Sequence, residues 1–456
     1  MSPRQLLTGD DMRELFTSVL PDDVLARIID ETRFQERERK LEAARFIRST
    51  VIAAAAGSGG RQSKIMEFYF GSGARRVARG GFYAWFNERF EDTMDSVLWH
   101  ALEYARQQPL DLPPLMARYA RDWHIYDSTT IKLADRLKVE YPGTGDYAAL
   151  KVHKRFSVGI GTMVDYHLSP AREHDGPHLV IDDTWRGLGL LADLGYASLQ
   201  LIADCYAFDV RFVIRLKESW KPRVECIRRG EIRGTLFAGT DLDALLDAQT
   251  IVLEGRVVDA EVSIGPPGRA VRCRLVGVPA PDGRYRFYLT DLPATAGPLQ
   301  VSDFYRVRWE IESDNKLDKS CNHIDDARAE TGQATRALIY ASLTSSMLAC
   351  LVAHRHRLNM KPPPKKNAER KDAPLHPQAL ARAMATAAPR IAAAFDLRGA
   401  AADLAWQSIA EYLEHLGRDP NWRRSPSILD QLRGWKITPG RPRRARLASS
   451  TRKGAN

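Results

Sequence analysis

The sequence predicts a mixed α/β protein in which helical regions flank a central sheet. Short apolar, β-branched runs joined by tight turns begin near residue 123, and helix–strand alternation follows them up to residue 217. A second set of alternating β-rich runs, punctuated by GPPG and PDG turns, occupies residues 218–300. The regions before and after these runs have helical periodicity. Together the three observations are typical of a mixed sheet covered by helices.

Composition and charge narrow the class of protein. The chain has 456 residues, more than one ordinary domain, and a net charge of +10, which favours a polyanionic partner. The five cysteines are scattered without C-x-x-C spacing, which argues against a disulfide framework or a zinc site and suits a reducing cytosol. The N-terminus lacks the apolar core of a signal peptide, so we expect a cytoplasmic protein that does not bind a membrane.

The first region, residues 1–118, is predicted to be helical. An amphipathic run opens at Asp22 and continues to a glycine-rich break. Arg75, Arg76 and Arg79 then precede the aromatic segment GGFYAWFNERF. Basic residues beside a short aromatic helix suit a helix-turn-helix-like region that binds DNA ends. An ordinary helical bundle whose aromatic side chains form a core is the alternative, and both remain open.

The second region, residues 119–217, begins with a predicted buried strand, WHIYDSTTIKL, that carries Asp127 near its centre or end. Two β-rich runs follow at roughly 148–160 and 162–168. A buried carboxylate costs several kcal/mol unless it is paired or binds a metal. The alternative role for Asp127 is an Asx turn that caps the strand through Ser128 and Thr129.

Several aspartates could act together with Asp127: Asp182, Asp183, Asp193 and Asp204. Asp204 falls inside a predicted helix, and the pair at 182–183 could cap the next segment of the chain. Asp193 ends the apolar run RGLGLLAD where a glycine turn begins. Ligands of open α/β sheets gather at strand ends, so we choose Asp193. A strand at Arg211–Lys217 then places Arg215 and Lys217 on one side.

Residues 218–300 are predicted to be a β-rich insertion, and a separate β domain is the alternative. Residues 301–359 are predicted to be helical. The run Ala337–Ala353 is short for a membrane span and is predicted to be a buried core helix. A polar linker at 360–376 separates it from a helical region at 377–456. The arginine-rich tail of that last region is predicted to contact phosphates without sequence preference, or to be merely solvated.

Tyr305 to Lys319 is predicted to form one helix with a charged face. At ~100° per residue, Arg308, Glu312 and Lys319 lie within ~60° of Tyr305, and Asn315 lies near the same edge. An adjoining apolar stripe can dock on a core; it comprises Phe304, Val307 and Ile311. On charge alone, a solvated face with an Arg308–Glu312 pair explains the pattern.

The spacing of these four residues resembles the YREK signature of DDE transposases of bacterial insertion sequences, in the family named after insertion sequence four. IYDST, LLADLGY and FVIRLK precede it in the order found in that family. One departure is Ala197, where an aromatic residue commonly follows the DLGY segment. The resemblance covers most of residues 120–355 and implies a ribonuclease-H-like core with a β insertion.

By this resemblance, Asp127, Asp193 and Glu312 are the catalytic carboxylates and the ligands of two Mg²⁺ or Mn²⁺ ions. Hard oxygen ligands suit both metals, and paired divalent ions suit phosphodiester transfer. The resemblance also gives DNA-binding roles to one tyrosine and four basic residues: Tyr305, Arg308, Lys319, Arg215 and Lys217. The implied partners are double-stranded DNA, as terminal inverted repeats and target, and a second copy of the chain in the DNA complex.

The implied reaction is cleavage at the ends of an insertion sequence and strand transfer of the 3′-hydroxyl into target DNA. An aromatic residue of the insertion often stacks a displaced base in this family, and four candidates remain unranked: Trp220, Phe237, Tyr285 and Tyr288. A metal-dependent nuclease that cuts without joining and a non-catalytic DNA-binding derivative are the alternatives.

Overall fold

The computed structural model describes most of the chain, namely residues 5–36, 41–58, 61–229, 240–241, 257–280, 285–326, 329, 331–360, 373–422 and 426–435. Phe237, the segment 361–372 of the predicted linker and the arginine-rich tail beyond residue 435 lie outside the described residues.

A ten-stranded sheet runs through the middle of the described chain. Its strands in chain order are β1 (Trp123–Lys132), β2 (Ala149–Ser157), β3 (Thr162–Pro170), β4 (Gly189–Ala192), β5 (Arg211–Arg215), β6 (Arg223–Arg229), β7 (Thr240–Asp241), β8 (Val258–Ile264), β9 (Val271–Pro279) and β10 (Tyr285–Thr290). The spatial order is β3-β2-β1-β4-β5-β10-β9-β8-β6-β7.

The first five strands have the ribonuclease-H-like arrangement. Strands β1, β2 and β3 form an antiparallel meander, and β4 and β5 run parallel to β1. The predicted mixed α/β fold class is therefore confirmed. Strand β10 pairs antiparallel with β5, so the strands of the 218–300 segment extend this same sheet. The predicted strand at Arg211–Lys217 ends earlier, at Arg215, which leaves Lys217 in the following loop.

The helices before the sheet are α1 (Gly9–Val19), α2 (Asp22–Glu31), α3 (Ala43–Ala53), α4 (Gln62–Gly71), α5 (Arg79–Tyr83), α6 (Glu88–Arg106) and α7 (Pro114–Ala117). The single run predicted from Asp22 is wrong, because α2 ends at Glu31 and a separate helix, α3, begins at Ala43. Arg33 adopts a left-handed conformation with φ 51°, and the amide of Phe34 donates to the carbonyl of Ile29, which closes the helix end.

The aromatic residues of this region form a core. The ring of Phe46 packs against rings from α4, α5 and α6, from the loop after α2 and from the segment between α5 and α6; these are Tyr69, Phe82, Phe90, Phe34 and Phe86. Burial of aromatic rings accounts for their spacing, as the bundle alternative expected. Arg75, Arg76 and Arg79 are all exposed. A DNA-end-binding role for the region stays a prediction.

The remaining helices are α8 (Leu199–Ala207), α9 (Pro298–Arg306), α10 (Trp309–Ser320), α11 (Gly332–Asn359), α12 (Pro377–Ala394), α13 (Gly399–Leu416) and α14 (Ile428–Leu432). The prediction of one helix from Tyr305 to Lys319 is wrong. The amides of Val307, Arg308 and Glu310 each donate to the carbonyl three residues back, at 2.9–3.1 Å. This tight turn interrupts the α-helical pattern, so α9 and α10 are separate.

Helix α11 is the central core helix. By length and composition it is apolar enough to cross a membrane, but its most apolar window is completely buried inside the protein. It packs against α6 from the first region and against α12 from the last. The buried core helix predicted at Ala337–Ala353 is confirmed. Helices from both ends of the chain thus share one core with the sheet.

Candidate active site at the ends of two parallel strands

Asp127 and Asp193 lie side by side at one edge of the site. Strands β1 and β4 pair in parallel, and their last paired residues are Tyr126 and Ala192. Each aspartate directly follows that pair. Because neighbouring strands are ~4.8 Å apart, the two carboxylates begin from adjacent backbone positions. Strand β4 ends at Ala192, directly before Asp193, as expected from the sequence, and the catalytic role of Asp193 stays a prediction.

Local structure explains why the chain turns at Asp193. Strand β4 is buried throughout, and the amide of Tyr196 donates to the carbonyl of Asp193 at 3.1 Å, which closes a turn. Helix α8 then begins with a side-chain cap, in which the Ser198 hydroxyl accepts a hydrogen bond from the amide of Leu201 at 3.0 Å. The Asp193 side chain is left half-buried at the strand end.

Helix α10 brings Glu312 to the same region. The stripe formed by Phe304, Val307 and Ile311 is fully buried in the core that also contains Trp123 of β1. The predicted docking face is therefore correct although the helix is broken. Glu312 remains about a third exposed, and Nη1 of Arg308 lies 3.4 Å from its Oε1.

The charges of two other carboxylates act on Asp127. The pKa of Asp127 is raised to about 6, first by burial and then by the negative charges of Glu312 and Asp193; the backbone amide of Ser128 and the charge of Arg308 partly offset this. Burial and these negative charges therefore disfavour the ionised form of Asp127. The charges of Glu312 and Asp193 thus act on Asp127, and the assignment of these three residues to one catalytic site stays a prediction.

Arg308 is the cation shared by this group. Burial alone would lower its pKa, but Tyr305 and the three carboxylates at 193, 127 and 312 raise it above its ordinary value. The Tyr305 hydroxyl donates to Oδ1 of Asp193 at 3.4 Å. Burial, and then the charge of Asp193, raise the pKa of Tyr305 to about 12, so the phenol stays protonated and remains a hydrogen-bond donor.

The other predicted DNA-binding residues differ in position. Arg215 is exposed and lines the same cavity as Asp193, Tyr305 and Arg308. Lys217 lies beyond the strand end, where its ammonium group is 5.8 Å from the ring centroid of Trp220. Lys319 is half-buried in the last turn of α10, about 10 Å along the helix from Glu312 at 1.5 Å per residue.

Asn315 is a site residue to which sequence reasoning gave no role. Its Nδ2 lies 3.4 Å from Oδ2 of Asp127, and its Oδ1 is buried without a hydrogen-bond partner. The available signal was its helical spacing, three residues after Glu312 on the same face. A buried amide oxygen without a partner is costly unless a ligand satisfies it.

The donor set fits a hard divalent cation. Carboxylate and amide oxygens are the ligands that Mg²⁺ and Mn²⁺ prefer, and the partnerless Oδ1 of Asn315 beside Asp127 supplies one more oxygen. Among the residues that the structure describes, no three His, Cys, Asp or Glu side chains are grouped closely enough to enclose a metal ion as they stand. Shared coordination therefore requires the three carboxylates to move closer together.

A cavity of about 830 Å³ opens beside the site and runs under α10 toward α14. Trp309, 59% exposed at its wall, is a second residue that sequence reasoning did not single out; an aromatic residue directly after Arg308 was the available signal. Glu310 also lines the cavity, and burial raises its pKa to about 7. Tyr288 is buried against Tyr305, with ring centroids 5.0 Å apart.

Part of the chain matches a known protein family. Residues 122–348 match the family model described as "Transposase DDE domain", a match that supports DNA transposition as the general function. No curated protein matches the chain. A solved structure, the piggyBac transposase synaptic complex with hairpin DNA, is similar at 10% identity and a TM-score of 0.45, over 88% of this chain and 85% of that one.

Proposed function

We propose, from the premise that residues 122–348 form a DDE transposase domain, that the protein cuts DNA at insertion-sequence ends and joins the freed 3′-hydroxyl to target DNA. One observation carries the proposal: Asp127 and Asp193 follow the same paired position of two parallel strands, and α10 brings Glu312 within electrostatic reach of Asp127. Three carboxylates from three separate elements lie in that region, and metal-dependent phosphoryl transfer would need them to move closer together.

The carboxylates are the proposed ligands of two Mg²⁺ or Mn²⁺ ions. Asp127 would hold them together with Asp193 and Glu312, whose charges both act on it. When bound, such ions neutralise charge on the phosphate oxygens and activate the attacking oxygen. The raised pKa of Asp127 fits this role, because a cation removes the cost of ionising a buried carboxyl.

The surrounding residues of the chain hold the DNA. Arg215 and Arg308 line the cavity mouth beside Asp193, where a scissile phosphate has to sit, and Lys319 extends the cationic row along α10. Tyr305 holds the Asp193 carboxylate through its hydroxyl. Exposed Trp309 offers a stacking surface for a nucleobase near the cut. Of the predicted DNA-binding residues, Lys217 has the least support, because its ammonium group packs over the ring of Trp220.

The finer assignments belong to the same proposal. The chain is assigned to the insertion-sequence-four family through its YREK spacing, with double-stranded terminal repeats and target DNA as substrates. Residues 1–118 are the proposed end-binding region, 218–300 the insertion and 377–456 the C-terminal region. A homodimer that bridges two ends, working in the bacterial cytoplasm on nucleoid DNA, completes the proposal.

The test uses end-labelled DNA that carries the repeats flanking the coding region, with Mg²⁺ and the full chain. We expect cleavage at the repeat, a new 3′-hydroxyl, and joining of pre-cut ends to plasmid DNA. Asp127→Ala and Asp193→Ala should bind the ends and give neither product. Cutting without joining would support a nuclease instead. Full biological activity of the Asp127→Ala protein would support a non-catalytic DNA-binding role.

A further inference from the structure

The buried face of α10 is unusual because half of it is charged. The four buried residues of this helix are Ile311, Leu317, Asp314 and Asp318. At ~100° per residue the two aspartates lie ~200° and ~240° from Glu312, so they point inward while Glu312 points to the site. Apolar side chains usually fill such a face, because burying carboxylates costs several kcal/mol unless they are paired.

One lysine pairs with both aspartates. Nζ of Lys154, fully buried on β2, lies 2.5 Å from Oδ2 of Asp314 and 2.6 Å from Oδ2 of Asp318. Ser346 of α11 donates to the other oxygen of Asp318 at 2.5 Å, and Asn322 donates to Ser346 at 2.6 Å. This ion cluster, Lys154 with Asp314 and Asp318, therefore connects β2, α10 and α11.

The ion cluster begins at the strand position opposite Asp127. In the β1–β2 pairing the Cα partner of Asp127 is Lys154. Residues opposite each other in an antiparallel pair point to the same face of the sheet. Two paired backbone positions thus carry a proposed metal ligand, Asp127 on β1, and the residue that anchors α10, Lys154 on β2.

Directional contacts constrain a helix in ways that apolar packing does not. Aliphatic residues tolerate rotation and sliding, and replacing a buried ion pair by apolar residues is often neutral or stabilising. A lysine that must reach two carboxylates one turn apart fixes both the rotation of α10 and its shift along its axis. Because α10 begins at a tight turn after α9, the rest of α9 does not impose that register.

We propose that Lys154, Asp314 and Asp318 are positioning residues that hold α10 in register with β1, and so set the separation between Glu312 and Asp127. The inference rests on the proposed function, since it gives the ion cluster a role toward the divalent-cation site. Partners of metal-ligating residues commonly change metal affinity 10–100-fold when they are altered.

The test measures binding of Mn²⁺ alone to the full chain by electron paramagnetic resonance, with thermal unfolding alongside. The triple variant Lys154→Met/Asp314→Asn/Asp318→Asn removes all three charges with little change of shape. We expect at least about tenfold weaker Mn²⁺ affinity. The matched control is Arg274→Met/Asp259→Asn, which removes a buried ion pair of β8 and β9 and should leave affinity within about twofold.

A second measurement asks whether the ion cluster acts through Glu312. In a Glu312→Gln background the triple variant should cause no further loss of Mn²⁺ affinity, because the ligand that it positions is already gone. If the full loss recurs in that background, or if the triple variant binds Mn²⁺ like the wild type, the inference is overturned. If the triple variant does not fold, Asp314→Asn keeps the Lys154–Asp318 contact, and unchanged affinity in that variant overturns the inference equally.

The Asp127→Ala variant separates this inference from the proposed function. Should Asp127→Ala bind Mn²⁺ as tightly as the wild type, the proposed metal site is wrong and the inference falls with its premise. Should Asp127→Ala lose Mn²⁺ while the triple variant keeps it, only the positioning role is wrong.

Discussion

Asp127 and Asp193 each stand one residue beyond Tyr126 and Ala192, the last pair in the parallel ladder of β1 and β4. Their proximity is therefore a consequence of strand register. A one-residue slip would turn one of the carboxylates to the opposite face of the sheet. The contacts that fix this register should matter to the site even where they are distant from its carboxylates.

Gly189→Ala tests that dependence. A Cβ at Gly189 would lie 2.4 Å from ring atoms of Trp123, its partner on β1, and Trp123 is fully buried. Overpacking of this kind costs about 1–3 kcal/mol, so urea unfolding should show a loss of that size. The control is Gly195→Ala in the exposed turn after Asp193, where a Cβ meets nothing within 4 Å. Equal destabilisation by both variants would contradict the register argument.

Glu312→Gln should abolish cleavage while binding of the DNA ends persists. The change removes a proposed ligand but keeps the shape of the side chain and a polar contact for Arg308. Glu310→Gln, on the same helix but lining the cavity away from the carboxylates, is the matched control and should cut normally. Quantitative cleavage and gel-shift assays measure the two activities. Normal cutting by Glu312→Gln would mean that the wrong glutamate has been chosen.

The pKa of Asp127 predicts a pH-dependent stability in the absence of divalent cations. Its folded pKa of about 6 exceeds the ordinary value of 3.8, so the folded state holds the proton more tightly than the unfolded state. This stabilisation is complete below about pH 4 and is lost as the pH rises through about 6. Two pKa units correspond to at most about 3 kcal/mol.

The side chain at position 127 cannot ionise in the Asp127→Asn variant, so this variant should not lose stability as the pH rises. We expect the variant to match the wild type near pH 4 and to be more stable by up to about 3 kcal/mol at pH 8, by chemical unfolding in a chelator. Mg²⁺ should then stabilise the wild type at pH 8 more than the variant, because ligands stabilise the state that binds them. An identical pH profile for the two proteins would show that Asp127 is not the desolvated carboxyl.

Strands and buried faces with a strong local sequence pattern could be predicted from the sequence alone. The apolar run around Asp127, the strand end at Asp193 and the buried stripe of Phe304 and Ile311 all lie where periodicity placed them. The break between α9 and α10 was missed because it is a change in hydrogen-bond spacing within a run of continuous helical periodicity.

Features made by distant residues could not be predicted. The cluster of Lys154 with Asp314 and Asp318 joins positions about 160 residues apart, and each residue by itself is of a type that is mostly exposed to solvent. The contact of Asn315 with Asp127 likewise forms only because the fold places α10 beside β1. The two-residue error at Lys217 arose because strand alternation continues in the sequence after the ladder ends at Arg215.

Arg215 and Lys217 should differ in their contribution to DNA binding. Arg215 is exposed and lines the cavity together with Tyr305. Lys217 lies beyond the end of β5, where its ammonium group packs over the ring of Trp220. Each phosphate contact contributes about 0.9 to the slope of log affinity against log salt concentration. Arg215→Ala should therefore reduce that slope by about 0.9, and Lys217→Ala should change it by much less. Fluorescence anisotropy with an end-sequence duplex over a salt series measures both. A larger effect at Lys217 would reverse the assignment, because the loop after β5, and not the cavity mouth, would then carry the phosphate contact.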